Sequence, residues 1–282
     1  MRTVITHFFN EEYLLPWWLE HHVKIFEHGL LIDHGSTDNS ADICRQIAPH
    51  WRLVKSRLTQ FDAWLNDFEV MTHELEIKGW KIALNTTEFM IANPGLDEIE
   101  RFLKTEKRAG VAASGMIMID KQAGHEPLPG MPLVQQKPWA VDTNRFSRRW
   151  MRRLFGYPIF PDRNRFYHEL PNGMYHPGRH LSFHPDWKFR LPNLMVLHYA
   201  YAPWTESFIR RKIQIGSKIP DSDIEQGWGT HHQRTSSQLK HDFDSIDRLP
   251  YIDLSKQTIG AKGIGLNNAR PEIALSLVKN RK

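Results

Sequence analysis

The sequence predicts an α/β fold: a mostly parallel, Rossmann-like central sheet with flanking helices and an irregular C-terminal extension. Three observations lead there. Short β-branched or aromatic runs alternate with longer stretches of helical periodicity over the first 120 residues, the pattern of a layered parallel sheet. Polar clusters follow several apolar runs directly, and in open α/β sheets ligands bind outside the carboxyl ends of strands. At 282 residues, with 40% hydrophobic and 24% charged side chains, the chain is long enough to bury one large core.

Residues 2–9, "RTVITHFF", supply the first strand. "NEEYLLPWWLEHHVKIF" follows as a helix, with Asn10 as its cap and Glu11 and Glu12 at its positive end. Pro16 falls near the first turn, where a missing amide hydrogen costs little. Gly29 and "LLI" lead into a second strand that ends on Asp33. "DHGSTDNSADICRQIA" provides a turn, a capping cluster and a second helix. "WRLVKSR" is a third strand, and "TQFDAWLNDFEVMTHELEIKG" a third helix with Phe61, Trp64, Leu65, Phe68 and Met71 on one side. "WKIAL" is the fourth strand, and Asn85-Thr86-Thr87-Glu88 stands at its carboxyl end. Asp33 and this tetrapeptide are therefore expected to share one crevice. "LDEIERFLKTEK" is an amphipathic helix and "AGVAASGMIMID" a strand. Residues 121–195, rich in Pro, Gly, His and Arg, are expected to cover the crevice as strands and loops. "LMVLHYAYAPW" is a further strand carrying His198, and "TESFIRRKIQIGSKI" a helix.

No apolar run approaches the ~20 residues of a membrane span. The N-terminus lacks the basic, apolar and small-residue series of a leader, and the single Cys44 excludes an internal disulfide framework, which together predict a cytoplasmic protein. A net charge of +5 suits phosphate-bearing ligands, anionic surfaces or nucleic acid without choosing among them. The densest basic segment, "NRFSRRWMRR", reads first as a solvated helix face. Its sharper readings are an acceptor-phosphate, membrane-surface or RNA contact. No nucleic-acid motif frames it, so nucleic acid is not an expected partner.

Several motifs together resemble family 2-like glycosyltransferases of the GT-A fold. They are Asn10-Glu11 after the first strand, Trp18-Leu19 and His22, Gly29, and Asp33 with Ser36, Thr37 and Asp38. Gln60, Trp64 and Asn66 match a Gln-x-x-x-aromatic-x-Asn segment, and His198-Tyr199 with the following Ser, Glu, Phe and Lys match a late motif. The likeness covers residues 3–92 well, 194–216 moderately and 121–190 loosely. It implies a glycosyltransferase domain over 1–216, with a nucleotide-sugar half (1–120) and an acceptor and metal half (121–216), followed by a peripheral extension (217–282). It further implies transfer of a sugar, a hexose, from a UDP-sugar to a hydroxyl of a glycan, lipid or protein. His7, Phe8, Asn10, Glu11, Asp33 and Ser36 would hold the nucleotide. Gln60, Asn66, Asp67, Asn85, Thr86 and Lys212 would reach the ribose, sugar or diphosphate.

The same resemblance places an Asp-x-Asp-Glu-Phe metal motif where this chain has Asn85, Thr87, Glu88 and Phe89. Neutral oxygens are weaker ligands than carboxylates for a hard cation. The expectation is weak, donor-dependent Mn²⁺ (or Mg²⁺) at Asn85, Thr87, Glu88 and His198. The alternatives are diphosphate stabilisation by Arg210, Arg211 or Lys212 without metal, and a catalytically silent nucleotide- or glycan-binding relative. His176, His180 and His184 are spaced by four, but Pro177-Gly178 and Pro185 argue against the helix that would align them on zinc. Glu169, Asp186 and His180 are the candidates for a general base at the acceptor.

Overall fold

The computed structural model describes residues 1–93, 95–141, 163–229 and 232–256, with two short strands, Ile259–Gly260 and Gly263–Ile264. The basic segment containing Arg145 and Arg153 lies outside the described residues.

The chain forms an α/β layered sheet. Its parallel half is built from β1 (Arg2–Phe8), β2 (His28–Asp33), β3 (Arg52–Lys55) and β4 (Trp80–Ala83), in the spatial order β3-β2-β1-β4. Helices α1 (Leu15–His22), α2 (Ser40–Ile47) and α3 (Ala63–Glu74) connect them. Beyond β4 the order continues through β8 (Arg165–His168), β6 (Gly110–Ile119), β7 (Trp139–Val141) and β10 (Ile252–Asp253). There the sheet turns antiparallel at β4–β8, β8–β6, β6–β7 and β7–β10. A long β9 (Arg190–Tyr201) runs parallel to β6 and pairs antiparallel with β5 (Glu88–Ala92). The remaining helices are α4 (Leu96–Thr105), α5 (Leu133–Gln136), α6 (Glu206–Gln214), α7 (Asp221–Glu225) and α8 (Ser236–Asp247). No described helix is long and apolar enough to cross a membrane.

At three places the structure departs from the sequence reading or adds to it. The first helix starts at Leu15, not at the polar residues before it. Asn10 sits at φ 51° and its side-chain oxygen accepts the Thr37 N–H at 2.8 Å, so it ties two loops together and caps nothing. In α3 the apolar residues face outward: Trp64, Leu65 and Phe68 are 39%, 50% and 56% exposed. The buried face carries Asn66, Asp67, Glu69, Val70, His73 and Glu74. Burial of such polar groups is affordable only with partners, and each carboxylate has them. Glu69 accepts from Ser56 Oγ and Arg57 N–H, Asp67 from Gly178 N–H and Arg179, and Glu74 from Gly173 N–H and Tyr175 OH. The segment after residue 217 is not merely peripheral in its packing. Leu239, Phe243 and Ile246 of α8 enter the main core, and Phe243 stacks on Trp204 with centroids 4.3 Å apart.

The core is continuous from α1 across β1, β4, β5, β6 and β9. Trp18 is fully buried, and its indole N–H donates to the Glu88 carbonyl at 2.9 Å, which locks α1 onto the start of β5. Gly29, in β2, admits the Trp51 ring: a Cβ at that position would lie 2.1 Å from Trp51 Cε3. Gly29→Ala is therefore expected to destabilise the fold by about 1–3 kcal/mol through overpacking. Urea unfolding checks this; an unchanged midpoint would mean that Trp51 swings aside without cost.

Candidate functional site

Because β2 and β4 both pair in parallel with β1, their carboxyl ends share one sheet edge, two inter-strand spacings or about 10 Å apart. Register places Asp33 opposite Phe8 and Ala83 opposite Ile5, so Asp33 and the Asn85–Glu88 turn flank the end of β1. Asp33 is buried. One of its oxygens accepts the Ser36 N–H at 2.8 Å, and the other makes no hydrogen bond among the described residues. The Ser36 hydroxyl accepts the Asn10 N–H at 3.0 Å. This loop is thus fixed by its own polar groups, which is what a rigid ligand wall requires.

Glu88 is fully buried and clasped by Arg165, whose Nε and Nη2 each donate to one carboxylate oxygen at 2.7 Å. The Asn85 N–H adds a third bond to the same carboxylate at 2.8 Å. Arg165 Nη1 donates to the Gly178 carbonyl at 2.6 Å, so the pair also anchors the Gly178–His180 segment. Next in that segment, Arg179 forks between Asp67 and the Asn85 side-chain oxygen, 2.9 Å from the latter. The Glu11 carboxylate is held by Arg211 through bonds of 2.5 and 2.6 Å. Charge-assisted forks of this kind are the strong form of the side-chain hydrogen bond.

His198 lies opposite Glu88 in the β5–β9 pair. Burial first, then the positive charges of Arg163, Lys212, Arg165 and Arg211, hold it well below the usual imidazole pKa, and its Nδ1 has no hydrogen-bond partner among the described residues. His180 is likewise pushed well down, by burial and then by Arg165 and Arg163, with Nδ1 unpartnered. Lys212 donates from Nζ to the Ala200 carbonyl at 2.9 Å; burial, then Arg211 and Arg163, lower its pKa to about 7.

At the ends of β1 and β2, His7 Nδ1 and His34 Nε2 share a hydrogen bond of 2.7 Å, and Phe61 covers His34 with ring centroids 4.2 Å apart. Burial drives the His7 pKa well down and takes His34 to about 4. With Glu69 they form a trio whose ligand atoms lie within 4.8 Å of one another, a geometry that could hold a metal ion. A cation there would compete for Glu69 with the Ser56 hydroxyl and the Arg57 N–H.

Of the residues expected to bind donor, His7, Asn10, Asp33, Ser36, Asn66, Asp67, Asn85 and Thr86 gather at this edge. Phe8 is part of the apolar core, and Gln60 is exposed. Glu169 and Asp186 are corrections. Lys81 pairs with His168, which puts Glu169 beyond the amino end of β4. Asp186 is bound there too, accepting from the Ala109 N–H and Arg108 just before β6. Both stand at the sheet edge opposite Asp33, because β8 runs antiparallel and returns its chain to that side. Neither can serve as a base at the crevice. Sequence reasoning missed Arg165, Arg179, His34 and Glu69. The two arginines fall in an irregular stretch whose pairing depends on strands and helices far away in the chain, and no local spacing betrays them.

A cavity of about 590 Å³ opens between α1 and α6, and Asn10 and Arg211 line it together with Tyr13, Trp17, Glu20 and Arg210.

No protein-family model matches this chain, and no curated protein sequence matches it. Among solved structures it is similar to residues 1–349 of S. aureus TarS (15% identity, TM-score 0.35, 77% of this chain and 64% of that one). It is similar also to that fragment in complex with UDP (13%, 0.32, 47% and 38%). A third likeness is to glucosyl-3-phosphoglycerate synthase from Mycobacterium tuberculosis in complex with phosphoglyceric acid (14%, 0.33, 60% and 56%). The chain thus covers less than two thirds of the length of each. Likeness at this level transfers no residue's role.

Proposed function

We propose that this chain is a GT-A-type glycosyltransferase that moves a hexose from a UDP-sugar to a hydroxyl of a glycan, lipid or protein acceptor. The observation that carries the reading is the convergence at one strand edge of Asp33 and the Asn85–Glu88 turn, in a setting of buried polar atoms without partners among the described residues. Besides the His180 and His198 nitrogens these include His34 Nδ1, Asn66 Oδ1 and Arg179 Nε. Buried polar atoms are almost always paired in the working state of a protein, so a cluster of unpaired ones at a strand edge marks the outline of a polar ligand. The free Asp33 oxygen can accept from the base or ribose, and Asn66 from a sugar or ribose hydroxyl. The diphosphate leaving group gathers charge, which prearranged cationic donors stabilise.

The fit for a divalent cation at the Asn85–Glu88 turn is poor. Both Glu88 oxygens and the Asn85 side-chain oxygen are already occupied by guanidinium groups, and the Thr87 carbonyl accepts the Tyr199 N–H. One feature favours the second reading, a nucleotide- or glycan-binding relative without turnover: Glu11, Asp67 and Glu88 are all held by arginines, leaving Asp33 as the least committed carboxylate. Release of UDP from a panel of UDP-hexoses, including slow hydrolysis without acceptor, is expected for the enzyme. Saturable UDP binding with no release from any donor would favour the binding module.

A further inference from the structure

Resting on the donor reading above, we infer that the diphosphate is met beside His198 by Lys212, with no divalent cation between ligand and protein. The first support is occupancy. A cation at the Asn85–Glu88 turn needs carboxylate oxygen, yet Glu88 is enclosed by two 2.7 Å bonds from Arg165 and one of 2.8 Å from the Asn85 N–H. Freeing an oxygen would strand the Arg165 guanidinium, which has no exposure to water.

The second support is charge. Around His198 stand Arg163, Arg165, Arg211 and Lys212. Arg165 and Arg211 are matched one-to-one by Glu88 and Glu11. Lys212 forms no ion pair among the described residues. Its Nζ spends one hydrogen on the Ala200 carbonyl, two residues along β9 from His198, and sits 4.9 Å from the Tyr201 ring centroid. A dication added here would meet the charge of Arg165 and Arg211 and disfavour protonation of Lys212, whereas an anion would hold the Lys212 amine in its charged form beside Asp242. The setting therefore selects a phosphate-bearing ligand over a metal ion. The unpartnered His198 Nδ1 is a further polar group at that spot.

Calorimetric titration of UDP into the full chain, in EDTA and in MnCl2, tests this. The wild-type affinity is expected to differ by less than about threefold between the two media. Lys212→Met is expected to weaken UDP binding by about tenfold or more in both, with Lys212→Arg restoring much of it and the thermal midpoints of both variants confirming folded protein. A tenfold or greater loss on chelation overturns the inference while leaving the donor reading intact. Unchanged affinity in folded Lys212→Met overturns the role of Lys212. Absence of saturable binding in either medium overturns the donor reading and the inference with it.

Discussion

Replacing Arg165 with methionine is expected to cost about 3–5 kcal/mol of folding stability, a large part of the 5–15 kcal/mol typical of a domain. The substitution removes both bonds to Glu88 and leaves a carboxylate with no exposure to water and no counter-charge. It also deprives the Gly178 carbonyl of its donor, loosening the segment that carries Arg179 and His180. The double variant Arg165→Met, Glu88→Gln should regain much of the loss, because the stranded charge rather than the missing attraction dominates the cost. Urea unfolding of the three proteins measures this. A loss below about 1 kcal/mol in the single variant would mean that the pair is solvated, as surface pairs are.

Acidification from pH 7 to 5 is expected to destabilise the protein steeply through its buried histidines. His21 donates from Nε2 to the Met90 carbonyl at 2.7 Å, while His22 Nε2 accepts the Met90 N–H at 3.2 Å and its Nδ1 donates to the Trp18 carbonyl at 2.8 Å. The two imidazoles thus hold one residue of β5 to α1. Burial lowers the His21 pKa to about 4, and burial followed by the His21 charge takes His22 well below the usual value. With folded-state pKa values below the unfolded 6.5, the unfolded chain binds more protons between pH 6.5 and 4. Stability therefore rises with pH in that window and is lost as pH falls through it. At pH 5 the His21 contribution is about 2 kcal/mol, and His34, also taken to about 4, adds a similar loss. Protonated His22 would aim an N–H at the Met90 N–H. Thermal melts from pH 8 to 5 check this, with His21→Gln expected to show a shallower pH dependence. A flat wild-type profile would contradict buried, neutral histidines.

Much of the parallel half was legible from residue order. Alternating runs place β1 to β4 and α1 to α3 nearly where they occur, because a strand buried on both faces and a helix between strands each leave a local pattern. The direction of α3 was not legible. Its apolar residues marked one side without saying which side faces the sheet, and partners supplied from residues 173–179 turn its polar side inward. Asn10 misled for a related reason: a good capping side chain found a closer partner in the neighbouring loop.

The same division runs through the candidate site. Asp33, Asn85 and His198 were legible because each closes or follows an apolar run. Glu169 and Asp186 were misplaced because their sheet edge depends on the antiparallel course of β8, which no local pattern encodes.

What the sequence by itself determined is the α/β class, the order of the parallel strands' segments and the polar residues at their ends, since these follow from periodicity within a few turns of chain. What only the tertiary structure decided is the electrostatic state of those residues. Glu88 is a free carboxylate on paper and one arm of a closed ion pair in the fold, because its partner arrives from 77 positions away. Long-range pairing of buried charge is set by which strands lie side by side, and that is a property of the assembled sheet.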